Sequence, residues 1–460
     1  MSDLNGMYDD QLEKLEELRK QSGLSRRDFL KLLAAGGIAT TAAGANMYPA
    51  DVQASIRTNA HIVIAGGGAG GITTAAKLTR WLDGARITII EERDIHLYQP
   101  GLTLVGSGVY SGSDVQAQNA DYMPRGINWV KDKVASFDPE ANKLTTAKGQ
   151  EISYDYLVVA TGCYLDYTAI EGMDVSLIGR EGIGSVYNGV EAALATYKES
   201  QKFIERGGQA LFTIPSTPIK CAGAPIKMTF LTESRMRKEG TRNKGEFLYL
   251  SSSGILFGQP DFRELIRELY EEKGINYDYH HVLKSIDPGA RTATFSVQGA
   301  DKTYDYDYIH VVPPMRAPDV VRDSELSWKE GNFAEGGWLE VDQYSLQHRR
   351  YPNVFGVGDI IGTPVGKTSA SVKMQAPVAA RNLVSLIAGD ELEARWNGYT
   401  SCPLITGLGR AALAEFDFDY NLIPTFPLLN QKKPSWLWWQ LKVRAIRPFY
   451  FQMLKGRVPA

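Results

Sequence analysis

The chain is poor in cysteine, nearly neutral in charge and without a long apolar run. Three cysteines among 460 residues are too few for a disulfide-stapled secreted scaffold. The 50 basic and 53 acidic residues leave a net charge of -3, so the overall field gives no sign of a nucleic-acid partner. The composition, 43% hydrophobic and 22% charged, excludes disorder as the main state. The length favours more than one domain.

The N-terminal segment has the layout of a twin-arginine export signal. Arg26-Arg27 precedes Phe29-Leu30-Lys31, and a weakly apolar run over 32–45 leads into small residues. This run is shorter than the roughly 20 residues that cross a bilayer. We assign residues 1–57 to a signal and linker, which predicts a protein on the periplasmic side of the cytoplasmic membrane. A charged, frayed helix is the alternative.

Glycine, in contrast, is plentiful, and a dinucleotide-binding pattern follows the signal. The 45 glycines are typical of an α/β chain with many phosphate-facing turns. The pattern has an apolar strand from His61 to Ala65, a glycine run over 66–71 and a helix over 72–82. A second strand from Arg86 to Ile90 ends at Glu91.

Each motif residue has a predicted role. Gly66 allows the tight turn, Gly68 lets backbone amides approach a pyrophosphate, and Gly71 lets helix and strand pack closely. Glu91 is placed to accept hydrogen bonds from ribose hydroxyls. The pattern alone does not separate FAD from NAD.

Two later segments favour FAD. Residues 154–162 form an apolar strand ending in Ala-Thr-Gly162, and residues 351–359 form a strand ending in Gly358-Asp359. Both resemble segments of two-dinucleotide-domain flavoproteins of the glutathione-reductase type. The resemblance implies that Asp359 bonds the ribityl chain and that the next helix points its N-terminus at the flavin. It predicts a discontinuous FAD-binding domain over 58–165 and 330–385.

The middle of the chain, 166–329, is expected to be a second Rossmann-like domain without an NAD fingerprint. Its strand over 209–214 runs into Pro215, and Pro218 follows, where a pyrophosphate site would need backbone donors. NADH is therefore not the expected electron donor. Cys221 instead precedes a helix that starts near Pro225, where the helix dipole and Lys227 favour a thiolate. Cys221 is a candidate nucleophile.

At Cys402 the chain resembles the sulfide:quinone oxidoreductase family, nearest to the branch that includes the mitochondrial enzyme of animals. The likeness covers most of the chain after residue 58. It is carried by Lys220-Cys221-Ala222-Gly223-Ala224-Pro225, Val311 to Met315, Leu346 to Gly356, Lys367-Thr368 and Gly398 to Gly407.

The resemblance implies a two-cysteine redox centre. Cys221 and Cys402 would form a disulfide or trisulfide beside FAD, sulfide would attack it, and the sulfane sulfur would leave to a small acceptor. The electron pair would reach a quinone. For either cysteine taken alone, the alternative is a buried cysteine that packs as an apolar side chain.

Other polar residues are less defined. Lys367 begins a helical stretch to Leu383 that the family places beside the flavin or quinone. Cys163 is treated as structural or accessory. His348, Glu233, Glu415 and Lys227 are near-site candidates without an assigned acid or base role, and no metal site is predicted.

The C-terminal region, 386–460, carries the second cysteine and an aromatic, basic segment after Pro434. Its three tryptophans and interleaved cations predict a membrane-lying, quinone-binding foot that Pro448 divides and that does not cross the bilayer. A dimer-interface arm is the alternative. The segment completes the expected architecture, α/β with two Rossmann-like domains and an amphipathic membrane-binding segment.

Three functional hypotheses follow. The first is a membrane-associated flavoenzyme that oxidises sulfide and reduces a quinone. The second is the flavin subunit of a flavocytochrome c sulfide dehydrogenase, although no Cys-x-x-Cys-His haem site is present in this chain. The third is a flavin-binding interaction protein with structural cysteines. Whether the protein is a homo-oligomer is left open.

Overall fold

The computed structural model describes residues 55–458. The motif of the predicted export signal therefore lies outside the described residues.

The strands, in chain order, are β1 (Ile56–Arg57), β2 (His61–Ala65), β3 (Leu82–Asp83), β4 (Arg86–Ile90), β5 (Ile95–Leu97), β6 (Gln116–Gln118), β7 (Asn128–Val130), β8 (Val134–Asp138), β9 (Lys143–Thr146), β10 (Glu151–Ser153), β11 (Tyr156–Val159), β12 (Tyr164–Leu165), β13 (Ile183–Gly184), β14 (Gly208–Thr213), β15 (Gly245–Leu250), β16 (Ile275–Asp278), β17 (His281–Asp287), β18 (Thr292–Val297), β19 (Ala300–Asp305), β20 (Tyr308–His310), β21 (Met315–Arg316), β22 (Val354–Gly356), β23 (Thr400–Gly407) and β24 (Arg410–Phe416).

The α-helices are α1 (Ala69–Trp81), α2 (Leu102–Val105), α3 (Gly189–Arg206), α4 (Ala224–Glu239), α5 (Pro260–Lys273), α6 (Asp319–Arg322), α7 (Ser369–Ala388), α8 (Trp436–Gln440) and α9 (Ile446–Leu454).

The first sheet is parallel, with its strands in the order β22, β11, β2, β4, β7. Its central strands are buried on both faces, which explains why they are continuous apolar runs in the sequence. Although β22 comes nearly 200 residues after β11, Leu157 pairs with Val354. The pairing brings the ends of β2, β11 and β22 to one carboxyl edge, where α/β sheets bind ligands.

The second sheet is also parallel, in the order β13, β20, β14, β15, β16. The carboxyl end of β14 leads into the loop that carries Cys221 and then into α4. α4 packs against β23, which carries Cys402 and forms a hairpin with β24. All strands of this second sheet fall inside 166–329, and the exact domain boundaries stay predictions.

Helix α1 begins at Ala69, three residues before the apolar periodicity starts at Ile72. The glycine-rich first turn carries no apolar pattern, so its helical state was not visible in the sequence. The helix ends at Trp81 because Leu82 is extended and pairs with Ile56.

The C-terminal segment differs from the predicted foot. Trp438 and Trp439 are buried against the hydrophobic core instead of projecting outward. Pro448 does not divide the segment, because a π-helical turn over 441–445 connects α8 directly to α9. The wider π turn ends at Ala445, just before the first turn of α9, which contains Pro448; the missing amide of the proline would leave an α-helical hydrogen bond unmade. Among residues 55–458, no helix is both long and apolar enough to cross a membrane.

Candidate active site

A cavity of about 500 Å³ lies where the carboxyl edge of the first sheet meets the cysteine segments. Its wall includes most of the residues that the sequence singled out, namely Gly68, Gly162, Cys163, Cys221, Lys227, Gly358, Asp359, Lys367, Cys402 and Glu415. The fold therefore brings the dinucleotide loop and both candidate cysteines to one site.

The glycine loop has the geometry that a pyrophosphate site needs. Gly66 has φ +107°, and its amide donates to the Ile90 carbonyl at 3.0 Å. A Cβ on Gly71 would lie 1.9 Å from the Gly66 carbonyl oxygen, so helix and strand can pack this closely only with glycine there. A Cβ on Gly68 would meet nothing within 4 Å, which leaves the backbone open to the cavity at the start of α1. The turn at Gly66 and the close packing at Gly71 have the predicted geometry. That Gly68 lets a pyrophosphate approach stays a prediction.

Glu91 is buried beneath this loop. Its Oε2 accepts from the Gly67 amide at 2.9 Å and from Arg93 Nη2 at 2.6 Å, and its Oε1 accepts from Arg93 Nε at 2.7 Å. Although burial opposes ionisation, these hydrogen bonds lower the pKa of Glu91. Arg93, which the sequence reasoning missed, lines the cavity beside the glycine loop. That Glu91 holds ribose hydroxyls stays a prediction.

At the other end of the cavity, Lys367 lies under the Gly358-Asp359 turn. Its Nζ donates to the carbonyl oxygens of Asp359 at 2.6 Å and Ile361 at 2.8 Å, and it lies 3.5 Å from the Trp338 ring centroid. Burial lowers the pKa of Lys367 to about 8, against the opposing charge of Asp359. Burial raises the pKa of the Asp359 carboxyl. Lys367 is thus a buried cation at the start of α7 and not a solvated lysine.

Cys221 and Cys402 are free cysteines, and both line the same cavity. Cys221 has φ +53°, a conformation that is uncommon for a residue with a Cβ, and its amide donates to the Lys367 carbonyl at 3.0 Å. Cys402 lies buried on β23. A Cβ on Gly223 would lie 2.5 Å from Cys402 Sγ, so the glycine provides the space for that sulfur.

Lys227 is the cation of this sulfur site. Its Nζ is 3.1 Å from Cys221 Sγ and 3.7 Å from Cys402 Sγ, and the residue is 3% exposed. Burial opposes its charge, but the Coulombic attraction of the two sulfurs outweighs burial and raises the pKa of Lys227.

The two thiols are electrostatically unequal. The hydrogen bond from Cys402, together with the charge of Lys227, holds the pKa of Cys221 well below its usual value. The same hydrogen bond, together with burial, raises the pKa of Cys402 well above its usual value. Cys221, whose sulfur is the nearer of the two to Lys227 Nζ, is therefore the more acidic thiol of the pair.

Comparisons with known proteins identify the family of the chain. The sequence pattern of the pyridine nucleotide-disulphide oxidoreductase family matches residues 60–202. The mitochondrial sulfide:quinone oxidoreductase of Mus musculus is 37% identical over 396 residues, which cover 85% of this chain and 86% of the relative. That of Dictyostelium discoideum is 37% identical over 398 residues, covering 86% of each.

The chain belongs to the sulfide:quinone oxidoreductase family. The crystal structure of the family member from Aquifex aeolicus has the same fold, with a TM-score of 0.72 at 24% identity over 87% of this chain and 93% of that one.

As a sulfide:quinone oxidoreductase family member, the protein is an FAD-dependent flavoenzyme. The residues present fit FAD, because the open backbone at Gly68 and the cation of Arg93 suit a pyrophosphate. Gly162, Gly358, Asp359 and Lys367 would hold the ribityl and isoalloxazine portions at the far end of the same cavity.

The remaining polar candidates divide into two groups. His348 bonds the Leu326 carbonyl at 3.0 Å, and Glu233 is buried in ion pairs with Arg237 and Arg242, so both are packed structural partners outside the cavity wall. Glu415 lines the cavity, and burial raises the pKa of its carboxyl. Tyr399 donates to it at 2.6 Å.

Cys163, which the sequence analysis treats as structural or accessory, also lines the cavity. Burial raises the pKa of its thiol to about 11, so it is protonated at neutral pH. The charges of Lys220 and Lys367 lower the pKa of this thiol, but burial outweighs them.

Lys442 belongs to the site, although the sequence predicted a different environment for it. It was expected among lipid headgroups, but it is 2% exposed and its Nζ donates to the Pro100 carbonyl at 2.7 Å. Burial, reinforced by the nearby charge of Lys227, lowers the pKa of Lys442 to about 7. The sequence carried no signal for this, because a cation between aromatic residues is typical of an exposed amphipathic face.

Proposed function

We propose that this enzyme oxidises sulfide at Cys221 and Cys402 and delivers the electron pair through FAD to a quinone. One observation carries the proposal: the two cysteines, a buried lysine in contact with both of their sulfurs, and the flavin-site residues share one cavity. The family of the chain supports the choice of substrates.

The two cysteines exchange sulfur–sulfur bonds during the reaction. Hydrosulfide attacks the oxidised Cys221–Cys402 bridge, one sulfur–sulfur bond breaks, and one forms, which leaves a persulfide on one cysteine and a thiolate on the other. A small nucleophilic acceptor then takes the outer sulfur of the persulfide, and the cysteine that carried this sulfur is left as a thiol. Re-forming the bridge releases two electrons. When bound, FAD accepts this pair and passes it to the quinone.

Lys227 stabilises the anions that these steps produce. Whichever cysteine leaves as thiolate, its sulfur is within 3.7 Å of the Lys227 ammonium. Because the site excludes most water, this ion contact is worth more than it would be at the surface.

The apolar end of the cavity suits a quinone ring and its tail. Phe426, Leu441, Ile446 and Phe449 line this end. Leu441, Ile446 and Phe449 come from the segment after Pro434 that was predicted to contact lipid, whereas Phe426 comes from the loop before α8.

The membrane contact that we propose is a loop, not the buried tryptophans. Leu428 is 86% exposed, and Pro427, Lys432 and Lys433 next to it are exposed as well. An apolar tip with adjacent cations suits the interface of an anionic bilayer. A lipid surface at this loop would lie beside the cavity residue Phe426.

The location of the enzyme is part of the same proposal. The Arg26-Arg27 motif supports export and a periplasmic enzyme, whereas several relatives are mitochondrial. Replacing both arginines with lysine and fractionating the source cells tests export, which predicts that the enzyme then stays in the cytoplasm.

Steady-state assay of purified, detergent-solubilised enzyme tests the function. We expect sulfide-dependent reduction of a short-chain quinone, with loss of at least a hundredfold in Cys221→Ser and Cys402→Ser at unchanged flavin content. Reduction of cytochrome c in preference to quinone would instead support the flavocytochrome hypothesis. Cysteine variants with full activity would contradict the assignment of the redox centre.

A further inference from the structure

The last described segment of the chain, α9 and residues 455–458, is called the tail here. It lies against α1, the helix that begins at the glycine loop. Tyr450, Met453 and Val458 of the tail line the same cavity as Gly68 to Gly70. The tail therefore forms part of the wall around the dinucleotide end of the site.

Helix α1 holds the end of the tail by its backbone. Arg80 donates from Nη1 to the Gly456 carbonyl at 2.6 Å and from Nη2 to the Lys455 carbonyl at 2.9 Å. Lys77 Nζ donates to the Val458 carbonyl at 3.2 Å. Arg80 is exposed and is not part of the cavity wall.

Gly456 makes this close packing feasible. Its φ is +64°, and a Cβ there would lie 3.1 Å from Ala76 Cβ and 3.2 Å from the Ala76 carbonyl oxygen. A larger residue would be strained in its backbone and would also push the tail away from α1.

A hydrogen-bond chain connects the tail to the nucleotide-binding residues. Asn119 Nδ2 donates to the Arg93 carbonyl at 2.8 Å, which orients Asn119 Oδ1 to accept from His96 Nδ1 at 2.9 Å. The other ring nitrogen, His96 Nε2, then accepts from the Tyr450 hydroxyl at 2.7 Å. Burial lowers the pKa of His96 to about 4, so the ring is neutral and this donor order holds at neutral pH.

We propose that the tail is part of the FAD site and that its docking sets the rate of FAD release. The tail forms part of the cavity wall. Through Tyr450, His96 and Asn119 it also positions the Arg93–Glu91 pair. Arg80 and Gly456 are positioning residues in this scheme. The inference rests on the FAD assignment and is independent of the sulfide and quinone chemistry.

Flavin release from the holoenzyme tests the proposal. Free flavin is measured by fluorescence after dilution, without sulfide or quinone. Arg80→Met removes two charge-assisted hydrogen bonds outside the cavity, and we expect release to be roughly tenfold faster. Gly456→Ala and Tyr450→Phe are expected to act in the same direction. Arg57→Met is the matched control, since Arg57 is also an exposed arginine and its ion pair with Asp83 is long, at 3.9 Å.

Release rates for Arg80→Met and Tyr450→Phe within about twofold of the parent would overturn the proposal. A reciprocal measurement separates it from general destabilisation. If tail docking and FAD binding are coupled, adding FAD to partly deflavinated parent enzyme slows tryptic cleavage after Lys455 and Arg457. Cleavage at these sites that is unaffected by FAD would also overturn it.

Discussion

At the scale of single residues, the sulfur site depends on a cation that is almost fully buried. Lys227 donates to both cysteine sulfurs, and those sulfurs stabilise its charge. A buried ammonium without an anion is costly, so Lys227 favours those states of the cycle in which a cysteine thiolate or persulfide anion is present.

Lys227→Met should raise the pKa of Cys221. A neighbouring cation lowers a thiol pKa, so its removal moves thiolate formation to higher pH, by about one pH unit or more. The pH dependence of Cys221 alkylation in the reduced enzyme measures the shift. Lys238→Met, an exposed lysine on the same helix, is the control. An unchanged profile would show that Lys227 does not govern the thiolate.

Gly223→Ala should separate the two sulfurs without disturbing the flavin site. The added Cβ would lie 2.5 Å from Cys402 Sγ, while the Gly223 φ of -78° suits alanine, so the effect is steric. We expect at least a tenfold loss of sulfide oxidation at normal FAD content, assayed by quinone reduction. Gly289→Ala, whose Cβ would make only ordinary contact at 3.4 Å, serves as control. Full activity would mean that the sulfurs need not approach this closely.

At the scale of elements, the C-terminal segment separates into a packed part and an exposed part. The α8 tryptophans join the core around Leu231 and Ile405, whereas the loop before α8 carries the most exposed large apolar side chain among residues 55–458. Packing and lipid contact are therefore expected to respond to different substitutions.

Trp438→Ala should lower the free energy of unfolding by about 3–5 kcal/mol, because it removes a buried aromatic side chain. Denaturant unfolding of the holoenzyme measures this change. A small effect, within about 0.5 kcal/mol, would mean that Trp438 is not packed.

Leu428→Ser should leave stability nearly unchanged and weaken membrane binding. Co-sedimentation with vesicles that contain anionic phospholipid measures the binding, and we expect a severalfold loss. Ile255→Ser, another exposed apolar residue, should have no effect. Equal binding by Leu428→Ser and the parent would place the lipid contact elsewhere.

These elements also mark how far sequence reasoning reached. The β2–α1–β4 unit was predictable because glycine spacing and apolar periodicity are local signals, and β2 and β4 have the predicted bounds. The burial of Lys442 and the function of Gly223 were not predictable, because each depends on a contact between distant segments. The composition of the C-terminal segment also fits two environments, and packing against α1 and β24 decides which residues face inward.

At the scale of the whole molecule, one cavity connects the ends of the first sheet, the cysteine loop, β23 and the C-terminal helices. Each of these elements comes from a different part of the chain. Our central claim is that electrons from sulfide reach the flavin through Cys221 and Cys402.

Anaerobic rapid mixing of the holoenzyme with sulfide tests this claim most directly. We expect rapid bleaching of the flavin with a transient long-wavelength band, reversal by a short-chain quinone, and loss of bleaching in Cys221→Ser and Cys402→Ser. A flavin that stays oxidised in the parent enzyme, or that bleaches equally fast in the cysteine variants, would contradict it.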